Sequence, residues 1–431
     1  MTVYFHTLGC KVNQYETHAM RHLLEEEGIP TAEFNAGFKG QADDVLVINS
    51  CTVTGESDRK LRQLLRRCRR DNPQAVIVLT GCMPQAFPAR AAELSDADIV
   101  LGNADRHTIG DRLRTFLATR ERLVDIPPHP TTYEPLTIRE FQGRTRAFVK
   151  IEDGCNRFCS YCAIPYARGR VRSRALDDLK QELDALAAAG WREVVLTGIN
   201  LTAFGQDTGD SLADAVELAA ATEGIVRVRL GSLEPDHMTP ALLDRLAAVP
   251  KLCPQFHLSL QSGCDATLKR MRRHYTTAEY AALCADLRAR FPGCAITTDI
   301  MVGFPGETEE EFAETLRFAK EIAFARAHIF MYSRRPGTPA ATMAGQIPAS
   351  EKAARAHRLS EVCEHTRQEY ESALCGQTVD VLLETPLENG CFEGHTATYV
   401  PVCVKTNGQS GDLKAVRITA RDAEICHGIS L

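Results

Sequence analysis

The sequence predicts an α/β protein in three parts: a doubly wound parallel-sheet domain, a partial (β/α)6 barrel, and a small antiparallel β-barrel. Near-continuous apolar strands alternate with helices over residues 1–120 and again over residues 141–372. Such strands belong to parallel sheets covered on both faces. From residue 373 the chain turns short-period, glycine-punctuated and rich in Val and Thr, the pattern of a small barrel. A length of 431 residues suits about three domains.

In order, "TVYFHTLGC" is a strand leading into the helix "NQYETHAMRHLLEEEG", whose Gly28 fits a C-cap. "DDVLVINSC" is a second strand, followed by a basic helix from about Ser57 to Asn72. "QAVIVLTGC" precedes a short helix, and "DADIVLGN" precedes the last helix of this domain. Residues 121–140 are rich in Pro and Thr and read as a linker. Six further strands follow: "TRAFVKIEDGC", "REVVLTGIN", "IVRVRLGSLEP", "PQFHLSLQSG", "CAITTDIMVGFPGE" and "ARAHIFMYSRRPGTP". Helices such as "ALDDLKQELDALAAAG" lie between them, so the barrel is partial, with its working residues on the loops after the strands. A helix ending near Ser372 leads into the terminal barrel, residues 373–431.

The apolar fraction of 44% and charged fraction of 25% are those of a soluble globular protein. No apolar run reaches membrane-spanning length, and "MTVYFHTLGC" lacks the features of a secretory signal, so the expected location is cytoplasmic. In that reducing setting sixteen cysteines are core residues, metal ligands or catalytic groups rather than disulfides. A net charge of −6 argues against bulk nucleic-acid binding, although the basic residues are clustered.

Two sets of cysteines stand out. "DGCNRFCSYCAIPYARG" carries Cys155, Cys159 and Cys162 after the first barrel strand, with no fourth ligand nearby. Zinc would need a fourth Cys or His, whereas a 4Fe-4S cube held by three thiolates leaves one iron open, and the spacing favours the cube. Cys10, Cys51 and Cys82 each follow an apolar strand of the sheet domain. Each alone reads as a small buried apolar residue. Together, at one edge of a parallel sheet, they favour a shared metal site. The other ten cysteines, scattered without paired spacing, are expected to be structural.

"CNRFCSYC", with Tyr161 before the last cysteine, resembles the signature loop of radical S-adenosylmethionine (SAM) enzymes. The resemblance implies that SAM occupies the open iron and that its cleavage yields a radical able to take hydrogen from an inert C–H. Almost the whole chain is similar to one branch, the methylthiotransferases. "TLGCKVNQYET", "INSCTVTGESD" and "LTGCMPQ" resemble the segments that ligate their auxiliary 4Fe-4S cluster, implying Cys10, Cys51 and Cys82 as its ligands. "LTGIN", "RLGSLEP", "LSLQSG" and "DIMVGFPGET" resemble segments lining the SAM pocket, implying contacts from Tyr161, Gly198, Asn200, Glu234 and Gln261. Relief of crowding at Gly198 and loop surface at Glu234 and Gln261 are the alternatives, and their position after barrel strands favours SAM contact. The terminal barrel resembles a TRAM domain, an RNA-binding module.

"LGCKVNQYE" looks like the group that methylthiolates N6-threonylcarbamoyladenosine beside the tRNA anticodon. Other groups act on N6-isopentenyladenosine or a ribosomal-protein aspartate, and a zinc-stabilised RNA-binding protein is the non-enzymatic alternative. The branch's mechanism implies two uses of SAM, a sulfur held at the auxiliary cluster, an external electron donor and a sulfur source. Seven basic residues at 59–70, among them Arg59, Lys60, Arg66 and Arg67, are candidates for RNA contact. "RGRVRSR" adds Arg168, Arg170, Arg172 and Arg174 at period two, on one face if extended. "KRMRRHY" is a third basic run, and Lys405 and Arg417 lie in the terminal barrel. Solvated faces are the ordinary explanation of any one such run.

Overall fold

The computed structural model describes residues 1–34, 41, 43–138, 145–422 and 424–431. The expected boundary between linker and barrel, at residues 140 and 141, lies outside them.

The first domain is a six-stranded parallel sheet ordered Thr31–Glu33, Val3–Thr7, Val45–Ser50, Val76–Gly81, Ile99–Leu101, Leu123–Asp125. Alternate side chains point to opposite faces. Val45 and Val47 pack with Val76 and Val78 toward Leu24 and Leu113, on helices Lys11–Glu26 and Ile109–Thr119. Leu46 and Ile48 pack with Ile77 and Leu79 toward Leu61 and Leu65, on helix Gly55–Asp71. Both faces are covered, which makes the sheet doubly wound. The expected linker is shorter than its composition suggested: Leu123–Asp125 completes the sheet, and Leu136 and Ile138 are buried in the barrel's core.

The second domain has six parallel strands around a common core. Arg146–Lys150, Glu193–Thr197 and Arg227–Leu230 form one sheet, and Ser232–Leu233, Gln255–Gln261, Ala295–Val302 and Arg326–Met331 another. The third strand is interrupted at Gly231 and belongs to both, so the sheets join as the expected partial barrel. Helix Ala349–Ser372 leads into the terminal five-stranded closed barrel. That barrel is antiparallel except where Pro401–Lys405 runs parallel to Cys426–Ser430.

Side-chain contacts dock the terminal barrel. Arg227 donates to the Asp380 carbonyl at 2.7 Å and Arg229 to that of Ala397 at 2.9 Å. The Tyr399 ring takes the Arg146 and Arg229 guanidiniums at 4.8 and 4.9 Å from its centre. Among the described residues no helix is long and apolar enough to cross a membrane.

Candidate active site

The strand order of the sheet reverses between Val3–Thr7 and Val45–Ser50, the switch point where open α/β sheets place their ligands. Cys10 and Cys51 follow those two strands and Cys82 follows the next. Gly9, at φ +135°, lets them approach: a Cβ there would meet Asn13 Nδ2 at 2.9 Å and Cys51 Cβ at 3.1 Å. Gly81, at φ +103°, has no room for a Cβ beside Asn49 and Ser50. Buried Asn13 ties the group together. Its Nδ2 donates to the carbonyls of Leu8 and Ser50 at 3.1 and 3.0 Å, and its Oδ1 faces Cys10 and Cys82 Sγ at 3.7 and 3.8 Å. Arg168 Nε donates to Cys82 Sγ at 3.2 Å and the Val53 amide to Cys51 Sγ at 3.4 Å. Burial and the neighbouring thiols of Cys82 and Cys10 push Cys51 up to about 12.

The second set lies on the loop after Arg146–Lys150. Arg273 Nη1 donates to Cys159 Sγ at 3.3 Å, and the Ile164 amide to Cys162 Sγ at 3.4 Å. The Asn200 amide group stands 4.0 Å from Cys155 Sγ. Burial pushes Cys155 up to about 12, with Cys159 adding to the effect. N–H donors aimed at sulfur favour thiolate over thiol. Both donor sets therefore fit a cluster held by three thiolates. Among the described residues no three His, Cys, Asp or Glu side chains close on a single-ion site.

One cavity joins the two domains. A chamber of about 200 Å³ is lined by Val53 and Thr54 from the Cys51 loop, by Tyr161 and Cys162, and by Gln261 and Met301 from the barrel. Buried charges hold this arrangement. Glu16 pairs with Arg106 at 3.1 Å, Lys150 at 2.9 Å and Arg168, and Asp153 pairs with Lys150 at 2.7 Å and with Arg168 and Arg172 at 3.5 Å. Arg106 also reaches Glu134 at 3.2 Å. Three carboxylates thus face four cations, and the surplus positive charge lies against Cys82. Burial alone would raise Glu16, but Arg106, Arg168 and Lys150 outweigh it and hold it down to about 2. Beside the Cys51 loop Arg335 donates to Asp58 at 2.9 Å and Thr52 at 2.6 Å, linking the basic helix to the barrel.

The residues expected to contact SAM are placed as follows. Tyr161 lines the chamber and packs edge-on against Phe304 at 6.3 Å. Gln261 lines it too, at φ +67°, a left-handed conformation that a non-glycine residue adopts only under local constraint. Glu234 pairs with Arg273 at 2.5 Å, the arginine that reaches Cys159. Asn200 donates its backbone N–H to Glu152 Oε2 at 2.7 Å. A Cβ on Gly198 would meet that same Oε2 at 2.6 Å, so this glycine makes room for Glu152, the crowding explanation. Glu152 was missing from the sequence reading. It is fully buried, its Oε1 has no hydrogen-bond partner among the described residues, and burial with nearby Asp153 pushes it up to about 8. Asn13 was missed as well, and Arg168 and Arg273, read only as members of basic runs, were missed in their roles at Cys82 and Cys159.

The basic runs divide. Arg59, Lys60, Arg66 and Arg67 are exposed on their helix, Arg59 pairing with Glu56. Arg170 is exposed over the Phe158 ring at 4.7 Å. Arg168, Arg172 and Arg174 do not form a basic face, contrary to the period-two reading. Arg168 ends the helix Ile164–Arg168, and all three are buried against carboxylates, Arg174 with Glu182 and Asp178. Arg273 and Arg270 are likewise committed, to Glu234 and Glu311. Lys405 and Arg417 are exposed and each pairs in register with exposed Ile429, which places them on one face of the terminal barrel.

The chain is similar to known proteins along nearly its full length. A family model described as the Radical SAM superfamily matches residues 149–319, and one described as Uncharacterized protein family UPF0004 matches residues 2–102. The threonylcarbamoyladenosine tRNA methylthiotransferase MtaB of Bacillus subtilis is 40% identical, over 97% of this chain and 93% of that one. The MtaB of Thermotoga maritima is 37% identical, over 98% and 95%. The tRNA-2-methylthio-N(6)-dimethylallyladenosine synthase of Moorella thermoacetica is also 37% identical, over 88% and 86%. Among solved structures the fold is similar to that of the radical S-adenosylmethionine methyltransferase TsrM from Kitasatospora setae, with a TM-score of 0.59, 16% identity, and 79% and 77% of the two chains covered.

Proposed function

We propose that this chain, which belongs to the radical SAM tRNA methylthiotransferase family, converts N6-threonylcarbamoyladenosine at position 37 of tRNA to its 2-methylthio derivative. Family membership makes it an enzyme that uses SAM and a 4Fe-4S cluster, which removes the reading as a zinc-stabilised RNA-binding protein. Cys155, Cys159 and Cys162 are proposed to hold that cluster, and Cys10, Cys51 and Cys82 a second. The observation that carries the reading is that one chamber between sheet domain and barrel is lined by Cys162 and by Val53, whose amide donates to Cys51 Sγ. The choice of base is supported by the names of the relatives quoted first and by the "GCKVN" segment.

When bound, the clusters and SAM supply the electron, the radical that removes hydrogen from the adenine C2–H, and the methylthio sulfur. The chain's own residues hold and shield the reacting groups. Arg273 orients Cys159 and Glu234 together, so one guanidinium fixes both the loop and the strand beyond it. Arg168 and Asn13 do the same for the strand-end thiols. Tyr161, Val53 and Met301 line the chamber with apolar surface that excludes water from a radical. The adenine is proposed to enter this chamber while Arg59, Lys60, Arg66, Arg67, Arg170, Lys405 and Arg417 hold phosphates of the anticodon arm. An external electron donor and sulfur source complete the reaction, which takes place in the cytoplasm with the tRNA.

Two measurements test this. Anaerobic reconstitution is expected to give about eight iron atoms per chain, two cubes of four; four would remove the second cluster. Nucleoside mass spectrometry of a deletion strain is expected to show loss of the methylthio-threonylcarbamoyl nucleoside. Its persistence, with loss of the methylthio-isopentenyl nucleoside instead, would transfer the assignment to the other base.

A further inference from the structure

The chamber beside Cys162 shares Asp299 with a second, polar cavity of about 310 Å³. This cavity is bounded by Lys11 of the sheet domain, by Arg229, His257, Arg326 and His328 on barrel strands, and by Tyr399 of the terminal barrel. Lys11 is the residue after Cys10 and the first of helix Lys11–Glu26.

The charges in its wall do not cancel. Asp299 is the one carboxylate in that wall among the described residues, and His257 Nε2 stands 3.3 Å from it. Arg229 is committed to Glu193 at 2.9 Å and to two carbonyls of the terminal barrel. Lys11 and Arg326 have no carboxylate partner among the described residues. Both line the same cavity as His328, and after burial their charges help to lower its pKa. Both are exposed to the solvent of the recess, so their charges are free to meet an incoming anion. The cavity has room for a small acid, and Tyr399 of the terminal barrel forms part of its wall.

We propose that Lys11 and Arg326 form a carboxylate-binding subsite that receives the acid of the threonylcarbamoyl group and rejects an uncharged N6 substituent. The inference rests on the substrate reading above. An isopentenyl group would displace water from both cations and return no hydrogen bond, and selectivity arises from that penalty as much as from the attraction.

The test uses reconstituted full-length enzyme and three anticodon stem-loops that differ only at N6: threonylcarbamoyl, its methyl ester, and isopentenyl. Equilibrium binding and single-turnover thiomethylation are measured with each. Wild type is expected to bind the acid about tenfold or more tightly than the ester, as a charge-assisted hydrogen bond allows. Lys11→Gln and, independently, Arg326→Gln are expected to bring that ratio near one, and Lys11→Arg to keep it. A wild-type ratio near one overturns the proposal. So do variants that weaken all three RNAs alike and preserve the ratio, because the cations then hold phosphates. If wild type thiomethylates the threonylcarbamoyl RNA in either case, only this inference falls. If it thiomethylates the isopentenyl RNA alone, the substrate reading falls and takes the subsite with it.

Discussion

Replacing Arg168 by methionine asks how strongly buried charge holds the sheet domain to the barrel. Arg168 reaches both oxygens of Glu16, donates to Asn13 Oδ1 at 2.6 Å and to Cys82 Sγ at 3.2 Å, and stands 3.5 Å from Asp153. Without it Glu16 keeps Arg106 and Lys150, at 3.1 and 2.9 Å from Oε1, while Oε2 loses the donor at 3.0 Å. Breaking a buried ion pair costs about 3–5 kcal/mol, and the two remaining cations place this case near the lower end, about 3 kcal/mol. That is roughly a 150-fold change in the equilibrium between docked and undocked domains. The assay is a double-mutant cycle of Arg168→Met, Glu16→Gln and their combination. Urea midpoints and amide exchange along helix Lys11–Glu26 provide the readout. The single variants are expected to be costly, and the double variant less so than their sum, by about 1.5 kcal/mol or more. Additive costs, or a loss under about 0.5 kcal/mol for Arg168→Met, would refute the argument that this network docks the domains.

Other outcomes follow from the same geometry. Glu16, held down to about 2, contributes stability that is present above the ordinary carboxylate range and lost as pH falls toward about 2; Glu16→Gln should flatten the acid limb of a stability–pH curve. Glu152 has the opposite sign. Held up to about 8, it keeps a proton that the unfolded chain has released, so its contribution is complete only below the ordinary carboxylate range and is lost as pH rises from there through about 8; Glu152→Gln should remove that slope. Gly198→Ala forces a methyl against Glu152 and should cost about 1–3 kcal/mol in unfolding measurements. Cys159→Ala is expected to abolish SAM cleavage, whereas Cys51→Ala should leave cleavage and stop thiomethylation, read by 5′-deoxyadenosine and nucleoside mass spectrometry.

The strand-end thiols were legible in the sequence because a glycine–cysteine or serine–cysteine step ended each apolar run, and parallel strands align such ends. Asn13 was not, although it lies in the same segment as Cys10. Its role depends on carbonyls at Leu8 and Ser50 that only strand pairing brings together. The "RGRVRSR" run misled for a related reason. Periodicity reports which side chains share a face, but the carboxylates that bury Arg168, Arg172 and Arg174 come from Glu16, Asp153 and Glu182, separated in sequence by up to 152 residues. The strand Leu123–Asp125 was hidden by the prolines that follow it, which dominated the composition of the window. The cavity at Lys11 could not be read from the sequence at all, since its wall is assembled from all three domains.

The two sets of cysteines proposed to hold clusters make different demands on a newly made chain. Cys155, Cys159 and Cys162 fall within eight residues, so a short stretch of polypeptide already presents them as neighbours. Cys10, Cys51 and Cys82 are brought together only after three strands have paired across a reversal in sheet order. Metallation at the loop can therefore precede completion of the sheet, whereas metallation at the strand ends has to wait for it. When heat or denaturant opens the sheet, a cluster at the proposed strand-end site should be surrendered first.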